Sequence, residues 1–393
     1  MEGKVKLIRI TTVPISLNLL LTNQMSFMAS KGLDVLMVSS EGKEWDEIVK
    51  REGCRHSILN MTRKISPIRD LFSLLSLVFL FLKERPTIVH THTPKAGLLG
   101  MLAAWISRVP VRVHTIAGLP LMSTEGFKKK LLIFTEKLTY WSAHNVLANS
   151  FSIKSYLLDH RMIENSKLSI ISQGSSNGID LKRFSPEALK TNKINSIKSE
   201  LNYDDNATYI LSVGRMVNDK GIPELVTAFM ALKKSRSDIK LVLLGPIEVE
   251  RAAESLSKET LDFIQSDDDI IHVNWSDDVE YYMSVASFLV HASHREGMPN
   301  VILQAGAMNC PVICSSIPGN IDLVKHEETG FLFEKRNAKE LLDLLRMACD
   351  DKDKLEVCSQ NLHDFVSQNF ERTHFHNCML DFYSEKLELR QSN

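Results

Sequence analysis

The chain has 393 residues, 44% hydrophobic and 24% charged, with 17 Gly, 12 Pro and a net charge of −1. That length is too great for one ordinary core and implies two domains of a soluble globular protein. No apolar run reaches the ~18 residues of a membrane span, which excludes an integral helical membrane protein.

The near-neutral total hides an asymmetry. Residues 1–195 hold about 27 Lys+Arg against 15 Asp+Glu, and the remainder about 20 against 33. A basic half suggests contact with an anionic surface or substrate, or else attraction between the two halves. The six cysteines form no CxxC pair and no metal-ligand spacing, so they read as reduced, packing thiols. Neither His291 nor His294 belongs to an HExxH pattern. Met1-Glu2-Gly3-Lys4 leads straight into a strand, and no secretory signal is read there.

Taken in order, residues 5–12 form an apolar strand, followed by a loop and a helix to Gly32. The loop contains no glycine, so the dinucleotide fingerprint GxGxxG is absent and a nicotinamide-dependent oxidoreductase is disfavoured. Strand 34–40, helix 44–52 and strand 56–59 continue a parallel, doubly wound α/β pattern. Residues 71–82 are apolar nearly all round and read as a buried crossover helix; the alternative is an interfacial helix, with Arg63, Lys64 and Arg69 beside it.

The strand 87–92 ends in His90-Thr91-His92, and Pro94-Lys95 opens the next helix. Histidines there lie on the ligand-facing rim of such a sheet, though either could equally be structural. Strand 111–116 precedes Ala117-Gly118, and Phe127-Lys128-Lys129-Lys130 opens a long helix to Trp141. The lysines suit anionic headgroups or a solvated face. Strand 145–148, a helix to 158 and strand 167–171 lead to Asn177-Gly178-Ile179-Asp180, and a polar stretch with Pro186 reads as a linker.

The second half repeats the pattern with strands at 209–214, 240–244, 270–273, 286–291, 312–314 and 331–333. Helices are expected to 233 and over 248–266, 299–309, 337–349, 353–369 and 373–389. Arg215 and Lys220 flank one strand-to-helix turn; Glu296-Gly297 occupies another, just before a helix with Pro299 at its start. Two cations and a helix N-terminus make a diphosphate clamp, and a facing carboxylate can accept hydrogen bonds from sugar hydroxyls. A nucleotide sugar satisfies all these groups together.

Gly214-Arg215, Lys220-Gly221, Glu296-Gly297-Met298-Pro299-Asn300, Cys310-Pro311-Val312-Ile313, Pro318-Gly319 and Thr329-Gly330-Phe331 resemble the donor domain of retaining GT-B glycosyltransferases of family 4. His90 to Gly97 and Asn177 to Asp180 resemble its CapM-like branch of capsule and O-antigen transferases. The resemblance implies an α/β GT-B fold with two Rossmann-like domains facing a cleft: 1–185 for the acceptor, a linker at 186–206, 207–370 for the donor, and 371–393 packing back on the first domain.

It further implies that Arg215 and Lys220 hold the donor diphosphate and stabilise the leaving group, and that Glu296 binds sugar hydroxyls. Gly214, Gly297, Met298, Pro299 and Asn300 complete the donor site, with Gln304 at a position where the family usually has a glutamate holding the ribose. Asn18, His92, Lys95, Gly118 and Asn177 would serve the acceptor side or cleft. Ala117 stands where the family often has histidine, and His114 does not take over that role.

No metal or other cofactor is expected. The expected donor is UDP-linked and carries a hexose or N-acetylhexosamine; the acceptor is a polyprenyl-diphosphate glycan. The expected location is cytoplasmic, peripheral on an anionic inner membrane surface, without nucleic acid. Two alternatives stay open: a soluble transferase for a small acceptor, and a catalytically impaired donor-binding scaffold.

Overall fold

The computed structural model describes residues 4–62, 66–248 and 255–391. The chain divides into two units, Met1–Gly178 with Arg372–Asn393, and Ile179–Glu371. The first carries 26 Lys+Arg against 16 Asp+Glu and the second 21 against 32, so the first unit is net basic and the second net acidic. Arg63, Lys64 and residues 249–254 of the expected acidic helix lie outside the described residues.

In the first unit the chain runs β1 (Lys6–Ile10), α1 (Pro14–Leu20), α2 (Gln24–Ser30), β2 (Asp34–Ser39), α3 (Trp45–Glu52), β3 (Arg55–Ile58), α4 (Pro67–Glu84), β4 (Ile88–His92), α5 (Pro94–Ile106), β5 (Val111–Ile116), α6 (Gly126–Ser142), β6 (Asn145–Ala148), α7 (Phe151–Asp159) and β7 (Leu168–Ser169). Its seven strands are parallel in the order β3-β2-β1-β4-β5-β6-β7. The expected single helix to Gly32 is two, because Asn23 at φ 63 breaks it with a left-handed residue.

Strand order reverses between β1 and β4, and right-handed crossovers then put the helices after β3 and β4 on the opposite face from α1 to α3. Leu77, Phe81, Leu99, Met101, Ala103 and Tyr140 of α4, α5 and α6 share one core under that second face. The expectation of a buried α4 is corrected. Ser73, Leu77 and Phe81 face the core, one turn apart, while Ile68, Leu71, Phe72, Leu75, Phe79 and Leu82 are 55–74% exposed. The helix is apolar on two opposite sides, and only one meets the sheet.

The second unit runs α8 (Thr191–Glu200), β8 (Thr208–Val213), α9 (Ile222–Lys233), β9 (Ile239–Leu244), α10 (Lys258–Ser266), β10 (Ile270–Val273), α11 (Val279–Val285), β11 (Phe288–His291), α12 (Asn300–Ala307), β12 (Val312–Ser315), β13 (Phe331–Phe333), α13 (Ala338–Asp350) and α14 (Lys352–Asn369). Six parallel strands lie in the order β10-β9-β8-β11-β12-β13. The stretch read as a linker, 186–206, belongs to this unit. Ile197 and Leu201 of α8 and its C-cap are buried in the unit's core, so the segment is structured rather than a tether.

The last helix, α15 (Arg372–Gln391), belongs to the first unit. Phe375, Met379, Phe382 and Tyr383 join Leu17, Met25, Met28 and Val113 in its core. Tyr383 and His90 both contact the Arg9 guanidinium, and that arginine is wholly buried.

Candidate functional site

In an open parallel sheet, ligands bind beyond the carboxyl ends of the strands where the strand order reverses. In the second unit that point lies between β8 and β11. Gly214 and Arg215 follow β8, and the segment 292–299 follows β11, so chain topology alone brings Arg215, Lys220 and Glu296 to one crevice. Lys220 ends a short 3-10 turn, Asn218–Lys220, and Gly221 caps it at φ 67. A Cβ on Gly221 would meet the Ala292 carbonyl oxygen at 2.1 Å, so only glycine lets the two loops touch.

Glu296 is the electrostatic centre of this crevice. Its Oε1 accepts a hydrogen bond from Lys220 Nζ and lies 3.0 Å from His291 Nε2. The carboxylate side chain is only 15% exposed. Burial would raise its pKa, but the Lys220 charge and the His291 contact outweigh burial and hold the carboxyl well below the usual range. Glu296 is therefore an anion at any working pH. Arg215 Nη1 donates to Glu248 Oε2 at 2.7 Å, so the second cation is also oriented by a carboxylate.

The loop that presents Glu296 is braced from several sides. Arg295 pairs with Asp219 at 2.8 Å, and the His294 backbone N–H donates to the Asp219 carbonyl oxygen at 2.8 Å. His294 Nε2 sits 2.9 Å from Glu224 Oε1. The Ser315 hydroxyl donates to the Ser293 carbonyl oxygen, and Asn320 Nδ2 donates to the Ser315 carbonyl oxygen at 2.8 Å. Gly319, at φ 91, lets its turn lie against the Gly297 carbonyl oxygen, which a Cβ would approach to 2.3 Å.

Gly297, Met298 and Pro299 are buried, Pro299 is the N-cap of α12, and Asn300 is its first residue. The first N–H groups of α12 thus open beside Glu296, with the positive end of the helix dipole. Gln304 lies one turn into α12 and is partly exposed.

Comparison with known proteins bears on this arrangement directly. The family model described as "Glycosyltransferase Family 4" matches residues 20–183, and "Glycosyl transferases group 1" matches residues 193–364. The chain is 34% identical over 365 residues to the capsular polysaccharide biosynthesis glycosyltransferase CapM of Staphylococcus aureus, covering 93% of each chain. The chain is a GT-B glycosyltransferase of family 4. It is also similar, at 26% identity over 94% of each chain, to an Escherichia coli UDP-Gal:alpha-D-GlcNAc-diphosphoundecaprenol alpha-1,3-galactosyltransferase. The solved structure of Anabaena Alr3699/HepE, in complex with UDP and glucose, shares its fold with a TM-score of 0.82 at 16% identity, covering 97% of this chain and 100% of that one.

In the first unit of the glycosyltransferase the expected acceptor-side residues are more dispersed. Asn18 on α1 donates to Glu47 at 3.1 Å and accepts from Arg51, both on α3. Lys95, at the start of α5, pairs with Asp70 of α4 at 2.7 Å. Gly118 follows β5.

Two of the expected acceptor-side residues, His92 and Asn177, are buried. His92 is fully buried and stacked on His90 with ring centroids 4.4 Å apart; burial and the Arg9 charge hold both imidazoles well below their ordinary pKa. Asn177 is buried and ties three segments together. Its Nδ2 donates to the Thr22 carbonyl at 2.9 Å, and its Oδ1 meets Gln24 Nε2 at 3.0 Å and His376 Nε2 at 2.7 Å. Asn177 thus holds the unit together, whereas both ring nitrogens of His92 are buried without a hydrogen-bond partner among the described residues.

Sequence reasoning passed over His291, Asp219 and Glu248 as site residues. His291 carried a usable signal: it ends a buried strand at the rim, five residues before Glu296. Asp219 and Glu248 carried none, since ion pairs between distant loops leave no local spacing.

Proposed function

We propose that this glycosyltransferase takes a sugar from a UDP-linked donor and transfers it, with retention, to a glycan carried on polyprenyl diphosphate during surface-polysaccharide synthesis. The observation that carries this reading is the pairing of Lys220 with an ionised, mostly buried Glu296 at the switch point, with Arg215 on the same loop as Lys220. The E. coli relative, which acts on a diphosphoundecaprenol acceptor, supports the acceptor class, the S. aureus capsular relative supports surface-polysaccharide synthesis, and the UDP-bound Anabaena structure supports the nucleotide.

In this reading Lys220 and Arg215 meet the donor diphosphate, and the α12 N-terminus adds its dipole. The bond between the anomeric carbon and the β-phosphate oxygen breaks, leaving nucleoside diphosphate. An acceptor hydroxyl oxygen bonds to that carbon from the same face and passes its proton to the departing phosphate. Negative charge grows on that phosphate as the bond breaks, and fixed cations aimed there lower the barrier. Glu296 accepts hydrogen bonds from donor-sugar hydroxyls, and Gln304 meets the ribose without adding charge. The scheme requires no metal.

Because the acceptor is lipid-linked, the enzyme would work at the inner face of the cytoplasmic membrane. A panel of nucleotide sugars tested against polyprenyl-diphosphate glycans, with products read by mass, is the direct test. Transfer to a lipid-linked glycan from a UDP-sugar is expected. Turnover only with small free sugars would overturn the acceptor assignment.

A further inference from the structure

The outer surface of the α4–α5–α6 layer carries two apolar stripes that the reading above does not use. On α4, Ile68, Leu71, Phe72, Leu75, Phe79 and Leu82 fall within an arc of about 100°, opposite the buried Leu77. The stripe runs the whole helix, about 27 Å at 1.5 Å per residue. On α6, Phe127, Phe134 and Trp141 recur every seventh residue, opposite the buried Glu136, and are 55–82% exposed. Between the two helices, α5 exposes Trp105 and Ile106, and Trp105 lies 5.0 Å from the Trp141 ring.

Such a density of exposed aliphatic and aromatic side chains marks an interaction surface, and its charge identifies the partner. Arg69 and Lys83 flank the α4 stripe, and Lys128, Lys130 and Lys137 are exposed along the α6 stripe. The acids within these helices are otherwise engaged, and one exposed acid, Glu125, sits at the α6 N-cap. Asp70 pairs with Lys95, Glu84 with Lys6 and Arg55, and Glu136 is buried. Among the described residues, Lys128, Lys130 and Lys137 have no carboxylate partner. Aromatic residues interleaved with unneutralised lysines on a helix lying flat is the pattern that seats in the headgroup region of an anionic bilayer. No helix among the described residues is long and apolar enough to cross one.

We propose that the exposed face of α4, α5 and α6 is a docking surface for an anionic phospholipid bilayer. Ile68, Leu75, Phe79 and Phe134 enter the interfacial region, while Lys128, Lys130 and Lys137 meet headgroup phosphates. This deepens the reading of a lipid-linked acceptor and rests on it for its purpose, but its test does not.

The test is sedimentation of the full chain with vesicles of phosphatidylcholine alone and of phosphatidylcholine containing phosphatidylglycerol, at low and high salt, with no acceptor present. Binding to the anionic vesicles is expected, weakening at high salt. The triple variant Lys128→Ala, Lys130→Ala, Lys137→Ala should lose on the order of 100-fold in partition. The pair Leu75→Ser, Phe79→Ser should lose roughly tenfold or more, with unfolding temperature preserved because both side chains are exposed.

No wild-type binding at low salt, or equal binding by the variants, overturns the proposal. So does a concentration-dependent dimer that the Leu75→Ser, Phe79→Ser pair abolishes, because the stripe would then be an interface between copies. Transfer to a short, water-soluble polyprenyl diphosphate separates the two readings. If it persists without vesicle binding, only docking fails; if binding persists without any transfer to polyprenyl diphosphates, only the acceptor assignment fails.

Discussion

Replacing Glu296 by glutamine tests the site most sharply, because it keeps size and one acceptor oxygen while removing the charge. In the folded chain this carboxylate accepts from Lys220 and lies 3.0 Å from His291 Nε2. It is ionised throughout the working range, so the variant differs from wild type at every pH. A hydrogen bond to a charged group contributes roughly 1.5–3 kcal/mol, which predicts a loss of about 10- to 150-fold in kcat/KM per sugar hydroxyl no longer held by an anion.

Lys220 remains 24% exposed and can be hydrated, so the stability cost should stay near ~1 kcal/mol. The assay pairs steady-state transfer with calorimetric binding of plain nucleoside diphosphate. Binding should change by no more than a few-fold, since Lys220 is freed for phosphate. Should nucleoside diphosphate affinity fall as far as kcat/KM, Glu296 would be acting only by positioning Lys220, and its assignment to the sugar would be wrong. The double variant with Lys220→Met supplies the cycle: no added loss beyond Lys220→Met alone would point to the same conclusion.

Gln304→Glu should preserve or improve donor affinity measured by calorimetry; abolished activity would withdraw Gln304 from the ribose. Gly319→Ala should destabilise the second unit by roughly 1–3 kcal/mol, through its positive φ and the approach to Gly297, and weaken donor binding with it. Thermal melts and donor titration read the two effects separately. Glu136 is 6% exposed, and burial pushes its carboxyl up from 4.5 to about 7. Between those pH values the folded chain holds a proton that the unfolded chain has lost, so stability falls as pH rises, by about 3 kcal/mol in all. Glu136→Gln should therefore raise the unfolding temperature above pH 7 and leave it unchanged near pH 4; a gain independent of pH would refute the burial argument.

Much of the fold was legible because it depends on short-range pattern. Runs such as Val111–Ile116 and Asn145–Ala148 are bounded by turns and recur with helices between them, which dictates parallel sheets. Helix α8 escaped notice because its residues are mostly polar; its signal was the spacing of Ile194, Ile197 and Leu201. Helix α11 was missed because Val279–Val285 is a short apolar stretch without helical periodicity, buried by its neighbours. For α4 the sequence left buried and interfacial readings both open and did not say which side is exposed, since its two apolar sides look alike until the sheet chooses one. At the site, Arg215, Lys220 and Glu296 followed from turn positions, whereas the bracing of the Glu296 loop by Asp219, Ser315 and Gly319 depends on which loops the sheet order brings together.

The allocation of α15 to the first unit alters how the polypeptide can be dissected. The second unit begins and ends at one place: Ile179 bridges Glu371, and the Ile179 N–H donates to the Phe370 carbonyl oxygen at 2.7 Å. It is topologically an insertion, with entry and exit side by side, and 179–371 can be lifted out as one continuous piece. The first unit has no such cut. A fragment ending at Gly178 would forfeit Phe375, Met379, Phe382 and Tyr383 from its interior and leave Arg9 without its phenolic partner. Expressing that unit alone calls for residues 1–178 joined by a short turn directly to 372–393, a deletion from the middle of the gene rather than a truncation at its end.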